Sequence, residues 1–438
     1  MTDLTSNVGT SNKEISLADR LSKVIWLKPF ELLVRKIEIG CISVVLPDGE
    51  ILQFAGKTSQ SNVDAQLVLH NYRPIADFFL MGELAFAESY LRGDWSSPDL
   101  TSFFKLCLLN ERAIEPGEKG SIFTSFLNRL IHLRNANSRS GSRRNIAYHY
   151  DLGNEFYEAW LDSTMTYSSA LFDAKQSSLI KDGHGLDRRE RMQLLEKGQK
   201  EKYRQIAQMA QLEAGEKLLE IGCGWGGFST LAVKEFGCDV TGLTLSKEQL
   251  RFAIDRYKAE GIEAHARAEL VDYRDSEGTF DKIVSIEMFE AVGCEYWPTY
   301  FKTVYDRLRP GGVAVLQVIL IEEDRFELYR NKVDFIQKYI FPGGLLPSES
   351  KLKDAAVQQG LDFEDSVLFG QSYARTCQIW RDNFDEKWPD IQNLKSANGT
   401  AKDFDMRFNN LWRYYLSYCE AGFDLGSIDV GFFKFRKK

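Results

Sequence analysis

"LLEIGCGWGGFSTLA", Leu218 to Ala232, decides the fold. An apolar run ends at Glu220–Ile221, glycines follow at once at Gly222, Gly224 and Gly226, and "GFSTLAVKEFG" then carries helical periodicity. Strand, glycine loop and helix in this order open a parallel sheet whose ligand lies beyond the carboxyl end of the strand. The glycines are not the G-x-G-x-x-G of a dinucleotide loop, because they fall at every second position with Gly227 after them. Trp225 and the tight repeat leave no obvious phosphate cradle, and no Lys follows as in a P-loop.

The pattern continues outward from this loop. "CDVTGLTL" reads as the next strand, and "SKEQLRFAIDRYKAEG" as a helix capped by Ser246 with Glu248 and Gln249 just inside. "IEAHARAE", "FDKIVSIE", "GVAVLQVILI" and the terminal "SIDVGFFKFRKK" supply further strands. Short apolar strands alternating with helices predict a Rossmann-like α/β sheet covered by helices on both faces. "TLSKEQ", Thr244 to Gln249, closes the second strand, where a dinucleotide enzyme needs an acid for the ribose. "VDYRD", Val271 to Asp275, closes the third. The three loops together surround a ligand with an adenosine part and no phosphates, which predicts S-adenosylmethionine.

With 438 residues the chain is long enough for two domains, and its net charge of −8 argues against a general nucleic-acid binder. Seven scattered cysteines form no C-x-x-C pair, and five histidines show no ligand spacing, so reduced thiols, a cytoplasmic setting and no metal are expected. The polar start "MTDLTSNVGTSNKE" carries no signal peptide, and the longest apolar runs fall far short of the ~20 residues of a membrane helix. Residues 1–135 read as a small α+β domain, with helix-like "LADRLSKVIWLKPFELLVRKI", a hairpin in "ISVVLPDGEILQFAG", and apolar helices in "RPIADFFLMGELAFAESYLRGDW" and "DLTSFFKLCLLNE". The first of these helices is expected to pack on its own domain. Residues 136–147 read as a linker, and the stretch around it carries Arg129, Arg134, Arg139, Arg143 and Arg144 without one acid. That cationic stretch points to an anionic lipid surface on the inner face of the membrane. Residues 148–438 read as a second domain, expected to be the catalytic half. Within them the polar "AKQSSLIKDGHGLDRRERM" reads as a surface loop.

The catalytic half resembles the cyclopropane-fatty-acyl-phospholipid synthase family, which includes the mycolic acid cyclopropane synthases. "YHYDLGNEFYEAWLDSTMTYSSALF", "EIGCGWGGF", "TLSKEQ", "VDYRD", "FDKIVSIEMFEAVG", "LRPGGVAVLQ", "YIFPGGLLP", "FGQSYARTCQIW" and "FNNLWRYYLSYC" carry the likeness. "MGELAFAESYLRGDW" is similar to the lipid-associated domain of longer members. The resemblance implies a class I methyltransferase sheet and methylation of unsaturated acyl chains, with phospholipid as substrate and a homodimer as a candidate assembly. It implies that Tyr167 and Ser168 hold the methionine end of the cofactor and that Gly222, Cys223, Gly224 and Gly226 form its floor. Thr244, Leu245, Ser246 and Gln249 would grip the ribose, and Asp272 and Tyr273 would flank the adenine.

The family also holds a bicarbonate ion as base, on a Cys, a Glu, a His, a Tyr and a backbone amide. The matching positions here are Ser169, Glu290, Gln317, Tyr373 and Ile319, and the family's His after the Glu is Ala291. Ser and Gln hydrogen-bond an anion but bring no positive charge, so this resemblance-based bicarbonate site is weakened. Where the base sits decides the product. A proton lost from the new methyl group closes a cyclopropane, whereas loss after a hydride shift gives a methylene or methyl-branched chain. The altered positions favour the branched outcome. The aromatic-rich "LWRYYLSYC" and "YIFPGG" suit an acyl tunnel, though Tyr339, Phe341, Tyr414, Tyr415 and Tyr418 each also suit ordinary core. Two readings from other classes remain at this stage: a methyltransferase on a small soluble acceptor, and an inactive lipid-binding homologue.

Overall fold

The computed structural model describes residues 17–57, 63–114, 152–182, 185–394 and 404–438. The basic stretch around Arg129 to Arg144 lies outside them. The described chain divides into two units, 1–99 with 109–115, and 100–108 with 116–438.

The smaller unit is a four-stranded sheet in the order β2-β1-β3-β4, made of β1 (Cys41–Val45), β2 (Ile51–Ala55), β3 (Asp64–Leu69) and β4 (Trp95–Ser96). The expected hairpin is β1–β2, and Gly49 at φ +86° supplies the left-handed residue of its turn. Along β1 and β3 burial alternates, with Ile42, Val44, Ala65, Leu67 and Leu69 on the covered face. Trp95 is buried there against Phe86 at 4.7 Å. Helix Leu17–Val34 buries Phe30 and Val34 and stacks Trp26 on Phe79 at 5.6 Å, as a helix packed on its own unit should. Its other face leaves Leu21, Val24, Ile25 and Leu32 exposed.

The larger unit carries a seven-stranded sheet ordered β10-β11-β9-β8-β5-β6-β7. Its strands are β5 (Lys217–Ile221), β6 (Asp239–Thr244), β7 (Ala266–Leu270), β8 (Phe280–Ile286), β9 (Leu308–Ile321), β10 (Leu361–Leu368) and β11 (Ile428–Lys437). β9, β8, β5, β6 and β7 run parallel, whereas β11 is antiparallel to β9 and β10 is antiparallel to β11. Residues Leu218 to Ile221 of the central β5 are buried, as a covered parallel strand must be, and among them Glu220 is the polar exception. Ile221 lies opposite Leu243 and Ser285, Thr244 opposite Leu270, and Ile286 opposite Gln317. That register delivers the loops after residues 221, 244, 270 and 286 to one edge, with β5 at the switch point between them.

Two parts of this unit differ from expectation. β10, "LDFEDSVL", pairs with β11, but its exposed flank lacks the apolar alternation that announces a strand. "AKQSSLIKDGHGLDRRERM" is not a loop: helix Ala174–Asp182 and helix Arg188–Ala210 occupy most of it. Asp187 and Glu190 cap the second helix reciprocally, each carboxylate accepting from the other's backbone N–H at 2.8 and 2.9 Å. Its polar sequence still buries one face, formed by Leu195, Gly198, Gln199, Lys202, Tyr203 and Ile206. Helix Leu100–Leu109 also groups with this unit through most of its length. Thr101 donates to Glu420 at 3.0 Å, and Phe104 meets Tyr414 and Tyr418 edge-on.

Candidate active site

The glycine loop is tied to its neighbour by two bonds, Gly222 N and Cys223 N both donating to Leu243 O at 3.0 and 2.8 Å. Its glycines do different work. At Gly226, φ +80°, an added Cβ would meet the Tyr257 ring at 2.7 Å, so this residue admits the packing of helix Lys247–Ala259. At Gly224, φ +51°, an added Cβ meets nothing within 4 Å. Cys223 is buried, with its side chain against Gly242, so only its backbone faces outward. Above the loop, Trp225 donates to Asn154 at 2.8 Å and leans on Tyr157.

The second and third loops are braced internally. Thr244 Oγ1 accepts from Ser246 N at 3.1 Å and donates to Gln249 Oε1 at 2.8 Å, while Ser246 Oγ accepts from Gln249 N. Leu245 sits half-buried between them. Asp272 is buried and accepts from Arg274 Nε and Nη2 at 2.8 and 2.6 Å, so its carboxylate is already engaged. Tyr273 is half-buried, edge-on to Tyr300 at 5.2 Å. The open space over Gly224, with the polar Thr244–Gln249 loop and Tyr273 following the next two strands at the same sheet edge, suits S-adenosylmethionine.

Tyr167 and Ser168 reach this edge from a segment pinned by Arg256, which donates to Thr164 O at 2.7 Å and Ser163 O at 3.1 Å. Tyr167 is the hub of an aromatic wall, within 5.6 Å of Tyr157, Trp160 and Trp380, and its hydroxyl donates to Tyr415 at 2.8 Å. Phe341 completes that wall at 6.3 Å. Ser168 accepts from the fully buried Lys202 ammonium at 2.6 Å.

Four of the five residues matched to a bicarbonate site donate instead to two carboxylates of the chain, Glu287 and the fifth matched residue, Glu290. Glu287 Oε1 accepts from Ser169 N at 2.9 Å and Gln317 Nε2 at 2.6 Å, and its Oε2 accepts from Tyr373 OH at 2.7 Å. Glu290 Oε1 accepts from Ile319 N at 2.5 Å. The donors of that set are thus taken, and the residues present do not fit a free bicarbonate ion. Glu287 was not among the expected site residues. The signal for it was its place as the first residue after β8, at the ligand edge of the sheet. It sits at φ +47°, a conformation that favours glycine and costs other residues about 1–3 kcal/mol.

Charge in this pocket is poorly solvated. Burial pushes the Glu287 carboxyl up, while Lys202 and the three donors hold it down. Burial, then repulsion from Glu287, pushes Glu290 up to about 8. Burial pulls Lys202 down against the pull of Glu287, Asp162 and Glu220. Two buried acceptors, Glu290 Oε2 and Gln317 Oε1, have no hydrogen-bond partner. Glu287 is half-buried. The arrangement is suited to steadying a cation and accepting a proton. Among the described residues no group of His, Cys, Asp and Glu is placed to hold a metal, and no helix is long and apolar enough to cross a membrane.

Residues 137–433 match the family model for mycolic acid cyclopropane synthetase. The chain is 36% identical over 360 residues to the tuberculostearic acid methyltransferase UfaA1 of Mycobacterium tuberculosis, covering 80% of this chain and 78% of that one. It is 33% identical over 387 residues to the cyclopropane-fatty-acyl-phospholipid synthase of Escherichia coli, covering 87% and 90%. The fold is similar to mycolic acid cyclopropane synthase CmaA1 complexed with SAH and CTAB, at a TM-score of 0.58 and 27% identity over 67% of this chain and 98% of that one.

Proposed function

The chain belongs to the mycolic acid cyclopropane synthetase family of S-adenosylmethionine-dependent lipid methyltransferases, and from that premise we propose that it methylates the double bond of monounsaturated acyl chains in membrane phospholipids. We assign it the branched outcome, an acyl chain bearing a methylene group, over the cyclopropane. The observation that carries this reading is the altered base pocket. Gln317 stands where the family pattern has His and donates its amide to a carboxylate of the chain itself, while Ser169, where the pattern has Cys, gives that carboxylate its backbone N–H and turns its hydroxyl to Ala170 O. The similarity to a tuberculostearic acid methyltransferase supports the same direction.

S-adenosylmethionine, when bound, supplies an electrophilic methyl group, its C–S electron pair remaining on sulfur. Gly222, the Cys223 backbone, Gly224 and the Thr244–Gln249 loop would hold it, with Gly226 allowing the loop to close and Asp272 and Tyr273 beside the adenine. Tyr167 and Ser168 would meet the methionine end. The ring faces of Tyr167, Phe341 and Tyr415 would then stabilise the positive charge left on the acyl chain, an attraction of about 0.5–2 kcal/mol per well-placed ring. A dry wall of this kind also keeps water from capturing the cation. The amino-terminal unit, with Leu21, Val24, Ile25 and Leu32 exposed on one helix, offers an apolar face to a bilayer, and we place the enzyme at the membrane surface in that way.

The test supplies methyl-deuterated S-adenosylmethionine with vesicles of monounsaturated or fully saturated phospholipid. Label is expected in the acyl chains of the unsaturated vesicles alone. Label confined to the headgroup, or equal in both vesicles, contradicts the proposal.

A further inference from the structure

We propose that Glu287 is the general base of the reaction, a carboxylate built into the chain at the place where an external anion would otherwise be needed. The inference rests on the acyl-chain reading above and deepens it. Three donors from three different elements, Ser169 N, Gln317 Nε2 and Tyr373 OH, converge on this one side chain at 2.6–2.9 Å. Its backbone N–H is held by Gln317 O at 2.9 Å, which aims the residue from β9. A non-glycine residue at φ +47° persists only where the surroundings enforce it, and such strain gathers at functional sites. Burial holds the carboxyl above its ordinary value, as suits a proton acceptor, while Lys202 and the three hydrogen bonds favour its charged form.

The chemistry balances without a further reactant. The alkene's π pair forms the new bond to the transferred methyl carbon, leaving a cation on the neighbouring carbon. A hydride moves with its electron pair from the methylated carbon to that neighbour, and the cation follows in the opposite direction. Glu287 then takes a proton from the methyl group, whose C–H pair becomes the C=C bond of a methylene. Proton loss before the hydride shift would close the ring instead. A fixed carboxylate is not free to follow the charge as a diffusible ion is, so its position selects between the two.

The experiment compares the parent with E287Q and E287G, measuring label transfer to unsaturated vesicles with and without added bicarbonate or formate, and S-adenosylmethionine affinity by calorimetry. The parent rate is expected to ignore bicarbonate. Both variants should lose roughly 10²–10⁴-fold in kcat with cofactor affinity kept, the span usual for a general base. Added formate or bicarbonate should restore E287G, whose pocket is emptied, and not E287Q, whose pocket is filled. A parental rate in E287Q overturns the proposal, as does a parent that needs bicarbonate. An E287G that no anion restores makes Glu287 a positioning residue and overturns it equally. A parent that moves no label onto acyl chains overturns the underlying reading as well, and so is told apart from these.

Discussion

Gly224→Ala is expected to weaken S-adenosylmethionine binding roughly 10- to 100-fold while leaving the protein folded. At φ +51° an alanine costs about 1–2 kcal/mol, and its methyl group meets no protein atom within 4 Å. The added group occupies the space where the cofactor is proposed to lie, and overpacking by one carbon costs on the order of 1–3 kcal/mol. Tenfold in Kd corresponds to about 1.4 kcal/mol, which gives the expected range. Two residues on, Gly226→Ala should behave in the opposite way. Its Cβ would strike the Tyr257 ring at 2.7 Å, so the loss appears first in stability. Calorimetric Kd and thermal unfolding, measured on both variants, separate a ligand-facing glycine from a packing glycine. Unchanged affinity in Gly224→Ala would remove this loop from the cofactor site.

Lys202→Met should move the acid limb of the pH–rate profile to higher pH. Glu287 is the base only when ionised, and burial already holds its carboxyl above the ordinary value, so activity rises as pH rises through that raised value. Lys202 opposes the upward shift. Taking the cation away leaves burial opposed only by Ser169 N, Tyr373 and Gln317, and the limb moves up. Each unit moved lowers the rate below the limb by about tenfold. Methionine fills the space of the buried stem, and the loss of the hydrogen bond to Ser168 is common to every pH, so it lowers the plateau without moving the limb. A profile of unchanged shape would show that Lys202 serves only to hold Ser168.

The sheet was legible because its evidence is local. Glycines directly after an apolar strand, and capped helices after polar loops, require no knowledge of the rest of the chain. β10 was hidden because it lies at the sheet edge, where its exposed side chains are free to be polar. The helices over 174–210 were hidden by their charge, although Asp187 and Glu190, three apart, carried the capping signal. Lys202 could not be told from its neighbours Lys197 and Lys200, since only the packing of one helix face selects it for burial. The cofactor loops were read from spacing, and the structure brings them to one edge. Glu290 drew attention because it matched a motif. Glu287 matched none, and its importance lies in what converges on it from β9, from Ser169 and from helix Gly370–Ile391, which is a property of the fold alone.

If a fixed carboxylate directs the acyl cation, the product is a methylene-bearing chain. Proton NMR of lipid produced by the purified enzyme, with S-adenosylmethionine and monounsaturated phospholipid as its only reactants, tests it most directly. Vinylidene protons from an exocyclic methylene are expected as the main product signal. Ring protons upfield of all ordinary methylenes, as the main signal, would contradict that outcome.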